Sequence, residues 1–138
     1  MSEKWMKIKG FEKYEVSNQG RVKRIAHVRY DKRGRISMIK EIILKPEIVH
    51  NGYLRVGLYH NGRLRHKRIA SLVAEAFLGQ RPPDMEVDHI DGNKANNTVE
   101  NLRYTTHKDN VNNPVTVKKR QAYWQIYWQR KNPTCYLR

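Results

Sequence analysis

The chain carries one cysteine, Cys135, in 138 residues, which excludes an internal disulfide framework and a four-cysteine zinc site. No apolar run reaches membrane-spanning length, and the opening residues MSEKWMK lack the apolar core of a signal peptide. A cytoplasmic protein with no membrane partner is the resulting expectation. Acid is also scarce, with 13 Asp and Glu against 28 Lys and Arg, for a formal charge of +15. Such an excess suits a polyanionic partner, but a ribosomal protein would share it, so charge alone selects no function. The length supports one compact domain, with room for a second small lobe and none for a large core.

Against this background one stretch stands out. Val87-Asp88-His89-Ile90-Asp91-Gly92-Asn93-Lys94 sets a carboxylate beside an imidazole, with Asn101 twelve residues past the histidine and Asn110 nine residues further on. Hydrolysis of a phosphodiester needs a base to deprotonate water, a hard cation to neutralise developing charge, and rigid placement of both. His89 is the side chain suited to the first task at neutral pH. Asp88 and Asn110 offer oxygen ligands, and two protein oxygens completed by water and substrate oxygens are a usual way to hold Mg²⁺ or Mn²⁺.

Local signals place these residues near one another. Met85 to His89 reads as a short extended run, Asp91-Gly92-Asn93 as a turn, and Leu102 to Thr105 as a strand. Thr106 with Asp109 three residues later matches a capping box, which puts Asn110 one turn into a helix. Asn101 is expected to bond across to the strand of Glu86 to His89 and brace the histidine's loop. Asp91, Asn93, Asn96 and Asn97 read as turn formers serving loop backbone groups. His107 reads as an exposed first-turn residue, and His27, His50, His60 and His66 carry no pairing.

This pattern resembles the HNH (ββα-metal) nuclease motif in its His-Asn-Asn form. Upstream, Trp5, Ile8, Gly10, Phe11, Tyr14, Val16, Ser17, Asn18, Gly20 and Val22 resemble the N-terminal module commonly fused to HNH homing endonucleases, and LKPEIVHNGYLRVGLYHNGR and SLVAEAF resemble the hairpin and helix preceding the nuclease motif. The likeness spans about residues 4 to 113. One departure is Ala70-Ser71, where relatives often carry His-Arg, so any role of that histidine does not transfer. The resemblance implies an α+β fold: a small N-terminal antiparallel sheet with a helix over 1–80, a ββα-metal motif over 81–113, and a helical or extended tail over 114–138. It implies a phage- or intron-encoded DNA endonuclease acting in a bacterial host cell. His89 would be the base, Asp88 and Asn110 the metal ligands, and Asn101 the brace completing the catalytic set. A monomer is favoured, which would nick double-stranded DNA; a dimer would be required to break both strands readily.

Candidate DNA contacts follow from the basic residues. In Tyr53 to Ile69 a three-residue His60-Asn61-Gly62 turn would place Leu54, Val56, Leu58 and Leu64 on one face, and Tyr53, Arg55, Tyr59, Arg63, Arg65 and Lys67 on the other. The segment from Arg21 to Arg35, with Lys23, Arg24 and Arg33, reads as a basic loop able to follow a backbone, and Arg103 as a phosphate contact. Leu72, Val73, Ala76 and Phe77 predict a core helix of about ten residues closed by Gly79. Past Pro114, Val117, Gln121, Trp124, Tyr127 and Trp128 form a helical stripe flanked by Lys118, Lys119, Arg120, Arg130 and Lys131. A packing face is the expected use of the stripe, a DNA-bound arm the competing one; no helix-turn-helix is expected before Arg138. Two other classes stay open: a catalytically idle DNA-binding protein, against which the intact Asp88, His89 and Asn110 argue, and an RNA-binding basic protein, which explains the charge but not the spacing.

Overall fold

A computed structural model describes residues 2–131; Cys135 lies outside them. Apolar residues in the first strands alternate only in part, the register shifting between Lys7 and Ile8. β1 (Trp5–Ile8), β2 (Phe11–Ser17), β3 (Val22–Arg24) and β6 (Ile42–Ile43) form an antiparallel sheet in that order, burying Ile8, Tyr14, Val16 and Val22. Between β3 and β6 the chain makes a separate ribbon of β4 (His27–Tyr30) and β5 (Ile36–Ile39). The expected basic loop from Arg21 to Arg35 is therefore a strand and most of a hairpin. Asp31 closes the ribbon's tip by accepting the Arg33 and Arg35 amides at 2.8 and 2.9 Å.

A third sheet, β7 (Glu47–Ile48), β8 (Leu54–His60) and β9 (Arg63–Arg68), corrects the expected hairpin register. His60 pairs with Arg63, so the loop is the two residues Asn61 and Gly62, with φ of 50° and 73°. Two consecutive left-handed residues make the turn whose twist matches the flanking strands, which is why Asn-Gly is favoured here. Leu58 consequently lies opposite Arg65 and Val56 opposite Lys67, and the basic residues are divided between faces. The arrangement is tolerated because β9 is exposed along its whole length, so Arg65 and Lys67 need not enter the core that Val56 and Leu58 fill.

Residues Ile69, Leu72, Val73, Ala76 and Phe77 recur at helical spacing, and α1 (Ile69–Phe77) presents them inward. Gly79, at φ 89°, follows its end. The helix packs on β1, β2, β8, β9, β10 (Met85–His89) and β11 (Leu102–Thr106). Ile8, Val16, Leu58, Ile69, Val73 and Leu102 thus share one core, drawn from both halves of the chain. Each large aliphatic side chain fully buried here contributes about 1.5–3 kcal/mol.

Two helices follow, α2 (His107–Val111) and α3 (Pro114–Lys131). The tail is helical over its described part, but its aromatic stripe is not a packing face. Trp124 is 50% exposed and Trp128 58%, and no residue of α3 is buried. Its first turns are held against the body, through half-buried Val115, Thr116 and Val117 and through Lys119, whose Nζ donates to the Gly92 carbonyl. No helix among the described residues is long and apolar enough to cross a membrane.

Candidate active site

β10 and β11 pair antiparallel from Met85↔Thr106 to His89↔Leu102, a two-stranded scaffold whose far end carries Asp88 and His89. Both are buried. Asp88 faces Arg103 across the ladder, and Arg103 Nε and Nη2 each donate to Asp88 Oδ2 at 2.9 Å. Where β11 ends, Thr106 accepts the Asp109 amide at 3.2 Å and caps α2, which carries Asn110 back towards β10.

The loop from Ile90 to Asn101 is tied by its own side chains. Asn101 Oδ1 accepts the Asp91 amide at 3.0 Å, while its Nδ2 donates to Asp91 Oδ1 and to the Asn96 carbonyl, both at 2.8 Å. These bonds go into the loop and not, as expected, across to the strand of Glu86 to His89: Asn101 sits beyond the last ladder pair, so its amide meets the returning loop. Asp91 also accepts from the Asn96 amide and from the Asn93 backbone. With the Asn96 bond first, then Asn93 and Asn101, these donors hold its carboxyl below the usual range. Asn97 is not the backbone-serving turn former the sequence suggested. Its Oδ1 lies 2.8 Å from His89 Nε2, with both side chains buried.

A cleft of about 290 Å³ opens beside this pair, lined by Tyr53, Asp88, His89, Lys94, Asn110 and Lys119 among others. A larger cavity of about 580 Å³ between β1 and α1 is lined by Lys7, Lys9, Glu75, Gln80 and Arg81 among others, with neither a histidine nor an aspartate. The Tyr53 ring centroid is 6.0 Å from that of His89. Arg68 lies 4.2 Å and Lys94 4.6 Å from the Tyr53 ring centre, cation–π contacts that keep positive charge at the cleft's edge.

Asn110 reaches the cleft but not Asp88. Its Nδ2 donates to Glu86 Oε1 at 2.5 Å, and the exposed His107 pairs with the same oxygen at 3.3 Å. The amide bonded to Asp88 belongs to Asn113, whose Nδ2 donates to Asp88 Oδ2 at 3.2 Å while its Oδ1 accepts the Val115 amide at 2.9 Å. Asn113 caps α3, ahead of Pro114. Its capping role was readable as Asn-Pro before a helical stripe, whereas its reach to Asp88 depends on how α3 sits. Tyr53 was expected on a DNA-facing sheet and Asn97 in a turn, and nothing local tied either of them, or Lys94, to His89; the fold brings them there.

Asp88 and Asn110 supply the donor chemistry of a hard cation. Among the described residues, no hydrogen bond ends on Asp88 Oδ1 or Asn110 Oδ1, so each side chain keeps an oxygen for an ion. The described residues contain no cluster of three His, Cys, Asp or Glu side chains able to share a metal. An ion here would rest on few protein ligands completed by water and phosphate, which is how Mg²⁺ is commonly held.

The expected DNA contacts are scattered, and several already have partners. Arg21 Nε donates to Glu3 Oε1 at 2.9 Å; that bond, with a second from Ser17, holds the Glu3 carboxyl down to about 2. Lys23 stands 4.3 Å from the Trp5 ring centre and 3.7 Å from Glu41, and Arg55 pairs with Glu47 at 2.8 Å. Arg24 Nε is buried without a partner among the described residues. Arg33 is exposed at the ribbon tip, and Arg63, Arg65 and Lys67 on β9. Lys118, Arg120 and Arg130 are exposed on α3, while Lys119 Nζ reaches back to the Gly92 carbonyl at 2.5 Å.

Strand, loop, strand and helix around an Asp-His pair define a ββα nuclease centre. Residues 3–59 match the family model of the NUMOD4 motif and residues 70–112 that of the HNH endonucleases. The chain is 39% identical over 113 residues to DNA endonuclease I-HmuI of Bacillus phage SP01, an alignment covering 81% of this chain and 58% of that protein. An HNH endonuclease of Acanthamoeba polyphaga mimivirus, itself uncharacterised, is 32% identical over 116 residues, covering 84% of this chain and 31% of its own length. A solved structure of the HNH homing endonuclease I-HmuI, concerned with DNA binding and cleavage, superposes with a TM-score of 0.66 at 36% identity, over 90% of this chain and 67% of that one. The chain belongs to the HNH endonuclease family, with an N-terminal NUMOD4 motif. It spans only part of the curated relatives it matches, 58% of I-HmuI's length.

Proposed function

We propose that this chain is a DNA endonuclease of the homing type, dependent on Mg²⁺ or Mn²⁺, that hydrolyses one phosphodiester of double-stranded DNA per binding event as a monomer. The observation that carries this reading is the convergence of Asp88, His89 and Asn110 on one cleft, with cationic side chains at its rim. His89 Nε2 is occupied by Asn97, so Nδ1 is the nitrogen left to take the proton from the attacking water. Asp88 and Asn110 hold the cation, which when bound offsets charge on the phosphate and the departing 3′ oxygen. Asn101 keeps the loop in place, and Arg103, Lys94 and Lys119 add positive charge for the phosphate. Of the remaining basic residues, the exposed Arg33, Arg63, Arg65, Lys67, Lys118, Arg120 and Arg130 carry the duplex backbone, while Arg21, Lys23 and Arg55 are paired with Glu3, Glu41 and Glu47 and Arg24 Nε is buried.

The test is nicking of supercoiled plasmid with and without Mg²⁺, beside a gel shift. His89→Ala should lose on the order of 10²–10⁴-fold in nicking, the range expected for a general base, and keep its DNA affinity. Parental nicking by that variant would remove His89 as the base. Metal-independent DNA binding without any nicking would instead identify an idle binder, and preference for RNA over duplex DNA a different partner.

A further inference from the structure

Besides Tyr53, whose ring lies beside His89, the N-terminal module reaches the proposed base through Asn97. Asn97 Oδ1 lies 2.8 Å from His89 Nε2, and Asn97 and His89 are 4% and 5% exposed. A carbonyl oxygen there selects the neutral imidazole tautomer with its proton on Nε2, leaving the Nδ1 lone pair for chemistry. On its other side Asn97 is pressed by the turn between β2 and β3. A Cβ on Gly20 would stand 2.9 Å from both the Asn97 Cβ and the Asn97 carbonyl oxygen, closer than such atoms approach.

That turn is itself rigid. Ser17 Oγ accepts the Gln19 and Arg21 amides at 3.2 and 3.1 Å, and Asn18 Oδ1 accepts the Lys4 amide at 2.9 Å. The Asn18 carbonyl then accepts the Val99 amide at 2.8 Å, two residues past Asn97. Gly20 at φ 84° both permits the turn and provides the flat surface on which Asn97 rests.

We infer that Asn97 is a positioning residue that sets the tautomer and orientation of His89, and that the Ser17–Gly20 turn of the N-terminal module clamps it. This rests on the reading of His89 as the base. The module so read is a structural part of the active site as well as a candidate DNA surface.

The experiment starts with the unaltered ¹⁵N-labelled chain, in which long-range ¹H–¹⁵N correlations of the neutral His89 ring report which nitrogen bears the proton. The expected result is Nε2–H; a ring protonated on Nδ1 overturns the assignment without any variant having to fold. Asn97→Ala should then show mixed tautomers, with nicking at saturating DNA and Mg²⁺ slowed about 10- to 100-fold, as for loss of an orienting partner, and DNA affinity within about twofold. Gly20→Ala, which alters no group in the cleft, should reproduce the tautomer mixing and slow nicking in the same direction. Full-rate nicking by Asn97→Ala, while His89→Ala is inert, sinks the positioning role and leaves the base reading standing. Parental nicking by His89→Ala sinks the base reading itself, and the positioning role falls with it.

Discussion

The loop from Asp88 to Asn101 and the helix α3 are both polar stretches, and they are built in opposite ways. In the loop, Asp88, His89, Asn97 and Asn101 are buried and hydrogen-bonded. In α3, which carries Lys118, Arg120 and Arg130, nothing is buried and the aromatic rings stand in solvent. Chemistry needs atoms held to fractions of an ångström, so its residues are locked by partners. Charge-based contact with a polyanion works over several ångströms and tolerates loose side chains. One region is therefore sensitive to single atoms, the other to totals of charge.

The comparison can be broken first at the cation. Asp88→Asn exchanges a carboxylate for an amide of the same shape, and should lower nicking on the order of 10²–10³-fold and raise the Mg²⁺ concentration required. A plasmid assay titrated with Mg²⁺ reads both, and an unchanged titration would show that Asp88 does not hold the ion.

A structural lesion in the loop should be smaller in rate but visible in stability. Asn101→Ala deletes three part-buried hydrogen bonds that tie the loop together through Asp91 and Asn96, leaving those groups to water. Circular dichroism should record a melting temperature lower by several degrees. A melt matching the parent would place the loop's rigidity elsewhere.

The gentlest break removes α3 from Pro114 onward. Because no residue of that helix is buried and its contacts with the body are confined to its first two turns, the melting temperature should fall only slightly, while DNA affinity falls and the log–log salt slope becomes shallower by about 0.9 for each phosphate that is no longer neutralised. A large drop in melting temperature would make α3 a buttress instead. Unaltered binding by a stable truncation would leave the helix without either role.

Much of the centre was legible beforehand because its signals are local. A run of five residues from Met85 to His89 and a Thr-Asp cap three residues apart each report on a neighbour within a strand or a turn, while the wider asparagine spacing was legible only as a family resemblance. The hairpin of β8 and β9 departs from its expected register for the converse reason. Counting faces assumes that every apolar residue must point inward, whereas β9 is exposed throughout, so the Asn-Gly turn prevails over the pattern. The aromatic stripe of α3 misleads in the same way, since periodicity marks a face but does not say that anything covers it.

What the sequence by itself determined is which residues are candidates for the chemistry and the short elements that carry them, because capping, turn chemistry and strand alternation act between residues close along the chain. Only the tertiary structure decided who holds those groups: Asn97 against Gly20, Asn113 on Asp88, Tyr53 beside His89. Those contacts join residues from Gly20 to Asn113 that lie far apart along the chain, and a chain read in order carries no mark of which distant backbone will come to rest against it.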